Sequence, residues 1–103
     1  MAQKLTAIVV GGGIGGLAAS IALSRAGFRV TVLERQPAVR VSGSGIYIWE
    51  NGLRTLAELG AAQVYENGFR GRFFEQRNAR NEVIDAGPLS DDLRLITIPR
   101  GQL

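Results

Sequence analysis

The chain has 103 residues and a net charge of +3, with 12 basic and 9 acidic side chains. Hydrophobic residues make up 46% and charged residues 20%, a balance typical of a globular domain rather than a disordered chain. The chain contains neither Cys nor His, which excludes disulfides, Cys/His zinc sites, thiol nucleophiles and the commonest general base. We therefore expect no metal site, and a cytoplasmic location is consistent with this composition. The sequence has no block of consecutive basic residues and no run of 18 apolar residues, so we expect neither nucleic-acid binding nor a membrane span.

The first third of the chain predicts a βαβ unit. Leu5–Val10 is a short apolar run rich in β-branched residues, as in a buried parallel strand. Glycines at Gly11–Gly16 end this run, and apolar residues then recur at helical spacing over Ile14–Ala26. A second β-branched run, Arg29–Leu33, follows as a strand parallel to the first. The fold class is therefore α/β, a Rossmann-like βαβ unit followed by the start of a β-rich second region.

The sequence of the rest of the chain predicts smaller elements. Residues 35–44 are predicted to form a loop, followed by an extended segment Gly45–Trp49 and a helix Glu50–Leu59. The later predicted elements are two strands joined as a hairpin, Phe69–Gln76 and Glu82–Ala86, and a strand Leu93–Ile98. We expect Phe69, Phe73 and Phe74 to lie in a sheet core. We place a nucleotide-binding domain at residues 1–68, and at residues 69–103 the beginning of a substrate-domain region that leads into a truncated helix.

The motif Gly11-x-Gly13-x-x-Gly16 stands where the first strand passes into the first helix. Gly11 allows a tight turn, Gly13 lets the backbone approach a pyrophosphate, and Gly16 lets the helix pack closely on the sheet. The helix begins at Ile14 and Gly15, whose unpaired N–H groups and positive dipole end favour an anion. The motif therefore predicts a site for the phosphates of a dinucleotide.

Glu34 lies at the end of the second predicted strand, 18 residues after Gly16 (34 − 16). A carboxylate in this position accepts hydrogen bonds from the ribose hydroxyls of a dinucleotide, and its charge disfavours the 2′-phosphate of NADP. The alternative is a glycine-rich loop without a ligand and a solvated Glu34. FAD and NAD share the ADP half, so the residues alone leave both cofactors open.

The sequence resembles a known enzyme family over nearly its whole length. The run VVGGGIGGLAASIALSRAGFRVTVLERQ, the segment GSGIYIWENGLRTLAELG and the terminal PRGQL resemble the N-terminal part of FAD-dependent monooxygenases of the single-component aromatic hydroxylase class, the 4-hydroxybenzoate and salicylate hydroxylase group. The resemblance implies that Gly11, Gly13 and Gly16 face the pyrophosphate of FAD and that Glu34 binds its adenosine ribose. It implies that Arg35 lies on the adenine side of the cofactor. It also implies that Gly43 to Ile46, including Gly45, run near the flavin and that Arg100 contacts the cofactor. For Arg35 and Arg100 the alternative is a solvated charge or a surface salt bridge.

The resemblance implies an FAD-dependent monooxygenase that uses NAD(P)H and oxygen to hydroxylate a small aromatic-type substrate. Alternatives are another FAD-dependent oxidoreductase, such as a halogenase or a reductase, or a non-catalytic module that binds FAD or NAD. No residue can be identified as a catalytic acid or base. The Asp-Gly and Gly-Asp segments of the family are absent, so we expect an N-terminal piece that is inactive alone and associates with the rest of the enzyme or with a partner chain.

Overall fold

The computed structural model describes residues 3–38 and 43–103 of the chain. The chain divides into two compact units, Met1–Val41 and Ser42–Leu103. The boundary expected between residues 68 and 69 concerns functional domains of the whole protein and stays a prediction.

The first unit is a βαβ unit, as predicted. Its elements are β1 (Thr6–Val10), α1 (Ile14–Arg25) and β2 (Arg29–Leu33). The two strands are parallel, with Thr6 opposite Arg29 and Val10 opposite Leu33. The helix ends where Gly27 takes a φ of +92°, a left-handed conformation that glycine adopts without steric cost.

The helix packs on one face of this two-stranded sheet, and the other face is exposed. Side chains alternate along β1, so Ala7 and Val9 are half-buried while Ile8 and Val10 are exposed. Leu33, paired with Val10, is exposed as well. No described residue of this unit is fully buried, so its stability depends on the packing of α1 and on the strand pairing.

The second unit contains two small antiparallel sheets. In chain order its elements are β3 (Gly45–Trp49), α2 (Glu50–Glu58), α3 (Gln63–Glu66), β4 (Phe69–Arg70), β5 (Phe73–Arg77), β6 (Val83–Pro88), β7 (Leu95–Pro99) and a 3-10 turn (Arg100–Gln102). One sheet has the order β3-β7-β4, and the other is the predicted hairpin of β5 and β6.

The buried core lies between α2 and the β3-β7-β4 sheet. Among the described residues, only Leu53 of α2 and Ile96 and Ile98 of β7 are buried hydrophobic side chains. Ile96 and Ile98 are two positions apart, so they face the same side of the strand. Half-buried residues complete this cluster: Ile46, Ile48, Tyr65 and Leu103.

The single strand expected over Phe69–Gln76 is wrong, because the chain changes sheets at Gly71. Phe69 and Arg70 pair with β7, whereas Phe73 to Arg77 pair with β6. The Gly71 N–H still donates to the Leu95 carbonyl oxygen at 2.8 Å, and the pairing with β7 ends there. The expected aromatic core is wrong for Phe69 and Phe73, which are 81% and 63% exposed, whereas Phe74 is half-buried.

A bidentate ion pair joins the start of α2 to the segment before β7. Arg94 donates from Nε to Oε2 of Glu50 at 2.7 Å and from Nη2 to Oε1 at 2.9 Å. The Arg94 guanidinium also lies 5.8 Å from the centre of the Tyr65 ring. These hydrogen bonds from Arg94 lower the pKa of the Glu50 carboxyl, so the pair links α2 to β7 while Glu50 is ionised.

We expect acid to weaken this link. Because the pKa of Glu50 is lower in the folded chain than its ordinary value of 4.5, the pair contributes fully above that value and is lost as the pH falls through the folded pKa. Glu50→Gln should therefore lower the melting temperature at pH 7, and this difference from the wild type should shrink towards pH 3. Asp85→Asn, at an exposed position of β6, is the control. A difference that stays constant across this range would contradict the account.

Candidate functional site

The loop after β1 begins with a conformation that requires glycine. Gly11 has a φ of +103°, which side chains other than glycine rarely adopt. Its N–H donates to the Leu33 carbonyl oxygen at 2.7 Å, extending the pairing of β1 and β2 by one residue. The start of the loop is therefore attached to the end of the neighbouring strand.

The first turn of α1 lies directly against this loop. A methyl group on Gly16 would collide with the carbonyl oxygen of Gly11 and would contact the Val9 side chain. Ser20, one turn later, donates from Oγ to the Gly16 carbonyl oxygen at 2.7 Å. The absence of a side chain at Gly16 therefore allows the helix to approach the end of β1.

The beginning of α1 has backbone donors without a helical acceptor and open space beside two of its glycines. The first helical hydrogen bond runs from Leu17 N–H to the Gly13 carbonyl oxygen at 2.9 Å, so the N–H groups of Gly13, Ile14 and Gly15 have no acceptor within the helix. A methyl group on Gly13 or Gly15 would meet no atom within 4 Å. The start of the helix thus combines unpaired donors, a positive dipole end and room for an anion.

The Glu34 carboxylate reaches the same loop. Its Oε2 accepts from the Gly12 N–H at 2.6 Å, and its Oε1 accepts from the Gln36 N–H at 2.9 Å. The hydrogen bonds from Gln36 and then Gly12 lower the pKa of this exposed carboxyl. The carboxylate is therefore ionised at neutral pH and lies at the glycine loop.

Sequence reasoning missed the contributions of Gly12 and Gln36. A methyl group on Gly12 would lie 3.1 Å from both Cβ and Oε2 of Glu34, so glycine leaves room for the carboxylate. The only sequence signal was the run of three glycines, since position 12 is unspecified in the motif. Arg35 is exposed, and its charge contributes to lowering the pKa of Glu34.

The candidate residues of the second unit form a separate group. Gly45 pairs with Pro99 and Ile46 with Ile98 in the β3-β7 ladder. At the end of this ladder the Arg100 N–H donates to the Ser44 carbonyl oxygen at 3.3 Å. A methyl group on Gly43 would lie 3.4 Å from Cβ of Arg100. The structure therefore places Arg100 beside Gly43 and Ser44, while residues 39–42 of the expected loop lie outside the described residues.

The described residues hold neither a metal cluster nor a membrane-spanning helix. Across residues 3–38 and 43–103, no three His, Cys, Asp or Glu side chains are grouped so that they could hold a metal ion. None of the helices in this part of the chain is long and apolar enough to cross a membrane.

Comparison with known proteins assigns the βαβ unit and the residues that follow it to a domain family. The model of the NAD(P)-binding Rossmann-like domain family matches residues 9–64, which include the glycine loop and Glu34. Among curated proteins, a putative 2-heptyl-3-hydroxy-4(1H)-quinolone synthase of Rhodococcus erythropolis is 42% identical over 98 residues, covering 92% of this chain and 26% of that protein.

Two solved structures, an oxygenase and a protein solved with FAD, share the fold. The tetrameric form of 2-methyl-3-hydroxypyridine-5-carboxylic acid oxygenase superposes with a TM-score of 0.82 at 32% identity, over 98% of this chain and 27% of the enzyme. HpxO of Klebsiella pneumoniae, solved with FAD and uric acid, superposes with a TM-score of 0.72 at 30% identity, over 95% of this chain and 26% of the enzyme. The chain thus spans about a quarter of the length of the relatives that it matches. The resemblance to FAD-dependent monooxygenases of the aromatic hydroxylase type is confirmed.

Replacing Gly16 should destabilise the chain, whereas replacing Gly15 should not. In Gly16→Ala the methyl group meets the Gly11 carbonyl oxygen, and such overpacking costs about 1–3 kcal/mol. Gly15→Ala places its methyl group in open space, and because this position lies in the first turn of α1, the replacement should leave the free energy of unfolding unchanged or slightly raised. Urea unfolding of both variants checks this, and equal stabilities would contradict the close packing of α1.

Proposed function

We propose that this chain, which belongs to the NAD(P)-binding Rossmann-like domain family, binds FAD by its ADP half as part of a flavin-dependent monooxygenase. The observation that carries the proposal is the juxtaposition of unpaired N–H groups at the start of α1 with the Glu34 carboxylate. A pyrophosphate needs the donors and a ribose diol needs the acceptor. A dinucleotide contains both groups next to each other.

The phosphates fit the glycine loop. The N–H groups of Gly13, Ile14 and Gly15 would donate to the pyrophosphate oxygens, and the helix dipole would favour their charge. Gly13 supports this role because the space beside its Cα is open, which allows an oxygen to approach the backbone. Gly11 and Gly16 would act indirectly, by setting the turn and the approach of the helix.

The adenosine ribose fits Glu34. Each carboxylate oxygen accepts one backbone N–H and keeps further lone pairs for the ribose hydroxyls, since a carboxylate offers about four acceptor sites. The negative charge would repel a 2′-phosphate, which disfavours NADP at this loop. Arg35, next in the chain, would lie on the adenine side.

The flavin would lie near Gly45, Ile46 and Arg100. Two observations support this placement: Arg100 lies beside Gly43 and Ser44, and the chain resembles the hydroxylases. When bound, FAD supplies the redox chemistry, and NAD(P)H, oxygen and a small aromatic-type substrate would be its reactants. The residues of this chain would bind and orient the cofactor.

The resemblance favours a monooxygenase over the other flavin enzymes. HpxO was solved with FAD and uric acid, and the pyridine-carboxylate enzyme is an oxygenase. A halogenase, a reductase or a non-catalytic FAD or NAD module would use the same loop, so the loop alone does not separate them. A cytoplasmic location and association with the rest of the enzyme or a partner chain belong to the same proposal.

The choice of flavin tests the role of the ADP half. FMN has the isoalloxazine ring and one phosphate but lacks the AMP part that would fill the loop and reach Glu34. We expect the chain to bind FAD at least tenfold more tightly than FMN in a fluorescence titration, and ADP to compete with FAD. Equal affinity for the two flavins, or tighter binding of NADH than of FAD, would contradict the proposal.

Gly13→Val should abolish binding without unfolding the chain. Gly13 has φ −76° and ψ −177°, which valine adopts readily, and the added side chain meets no protein atom at Cβ. It would occupy the space needed by the pyrophosphate, so we expect at least a hundredfold loss of FAD affinity with an unchanged unfolding midpoint.

The matched control is Ala19→Val, which adds similar bulk at an exposed position of α1 and should leave FAD affinity unchanged. If Gly13→Val bound FAD with wild-type affinity, the phosphates could not bind at this loop, and the proposed placement would be contradicted.

A further inference from the structure

We propose that Glu34 also has a second role, in which it accepts the Gly12 N–H and so holds the glycine loop in its binding conformation before the cofactor arrives. This inference deepens the proposed cofactor site and rests on that function. In this role Glu34 is a positioning residue for the phosphates as well as an acceptor for the ribose.

The strand pairing shows how the side chain enters the loop. The β1-β2 ladder ends at Val10 and Leu33, and Gly11 adds one more main-chain bond to the Leu33 carbonyl oxygen. At Gly12 the next acceptor is the carboxylate of Glu34. A side chain that directly follows β2 thus continues the attachment of the loop for one more residue.

A second hydrogen bond, from a residue near Glu34 in the sequence, restricts the carboxylate. Its Oε1 accepts from the Gln36 N–H two residues later, which limits rotation of the carboxyl group. Its Oε2 then reaches Gly12, 22 residues earlier in the sequence, at 2.6 Å. Gly12 is therefore tied to a fixed point rather than to a freely moving side chain.

The loop has a particular need for such an anchor. Five of the six residues from Gly11 to Gly16 are glycines, and glycine loses more conformational freedom on ordering than any other residue. The packing of Gly16 and the N–H of Gly11 fix the two ends, and Glu34 fixes the residue that precedes the donors. A loop that is already ordered binds more tightly, because binding does not then have to supply the free energy of ordering it.

A carboxylate suits both roles better than an amide. Both of its oxygens accept, so it serves Gln36 and Gly12 together. A glutamine offers one accepting oxygen, and its NH₂ group would face one of the two N–H donors. Glutamine at position 34 should therefore retain part of the anchor, and alanine none of it.

The test compares Glu34→Gln with Glu34→Ala, which remove the same charge but differ in the acceptor. In the ligand-free chain, amide hydrogen exchange at Gly12, followed by NMR, should be roughly tenfold faster in Glu34→Ala than in the wild type, and intermediate in Glu34→Gln. The amides of β1 are the internal reference. If Glu34→Ala also loses protection in β1, the comparison of Glu34→Gln with the wild type decides.

Inorganic pyrophosphate gives a second readout, because it has no ribose and the two variants carry equal charge. We expect Glu34→Gln to bind pyrophosphate several-fold more tightly than Glu34→Ala. Equal Gly12 exchange in the wild type and both variants, or equal pyrophosphate affinities of the variants, would overturn the positioning role. Failure of the proposed function is distinguishable, since it appears as a wild-type chain that protects Gly12 but does not bind FAD.

Discussion

The site depends on the close approach of α1 to the end of β1. Gly16 permits this approach, because any side chain there would strike the Gly11 carbonyl oxygen. The helix N-terminus consequently lies next to the last residues of both parallel strands. Its free N–H groups and the strand-end carboxylate then share one small region, an arrangement typical of ligand sites at the carboxyl ends of parallel strands.

This arrangement places a carboxylate near the expected position of two phosphates, which is electrostatically unfavourable unless the carboxylate is hydrogen-bonded. The Gln36 and Gly12 N–H groups donate to it, and these hydrogen bonds lower the pKa of Glu34. The remaining lone pairs suit neutral hydroxyl donors rather than another anion. The same geometry thus favours a dinucleotide whose ribose carries free hydroxyls, and it disfavours one with a 2′-phosphate.

Local sequence patterns were sufficient to predict the βαβ unit, the helix beginning at Glu50, the hairpin, and the loop that the glycine motif forms between β1 and α1. What they could not predict depends on contacts between residues distant in sequence. The break at Gly71 arises because Phe69 pairs with β7 and Phe73 with β6. The pair of Glu50 and Arg94 spans 44 residues. The contact of Gly12 with Glu34 likewise depends on the register of the two strands. The sequence had indicated the glycine loop and Glu34 separately, but not the contact between them.

Amide chemical shifts on addition of FAD test the central claim most directly. If the helix start and Glu34 hold the ADP half, the largest changes should fall on Gly13, Ile14 and Gly15, with a second group at Gly12 and Gln36. ADP should reproduce both groups of changes. Saturable binding of FAD that leaves these amides unchanged would contradict the account.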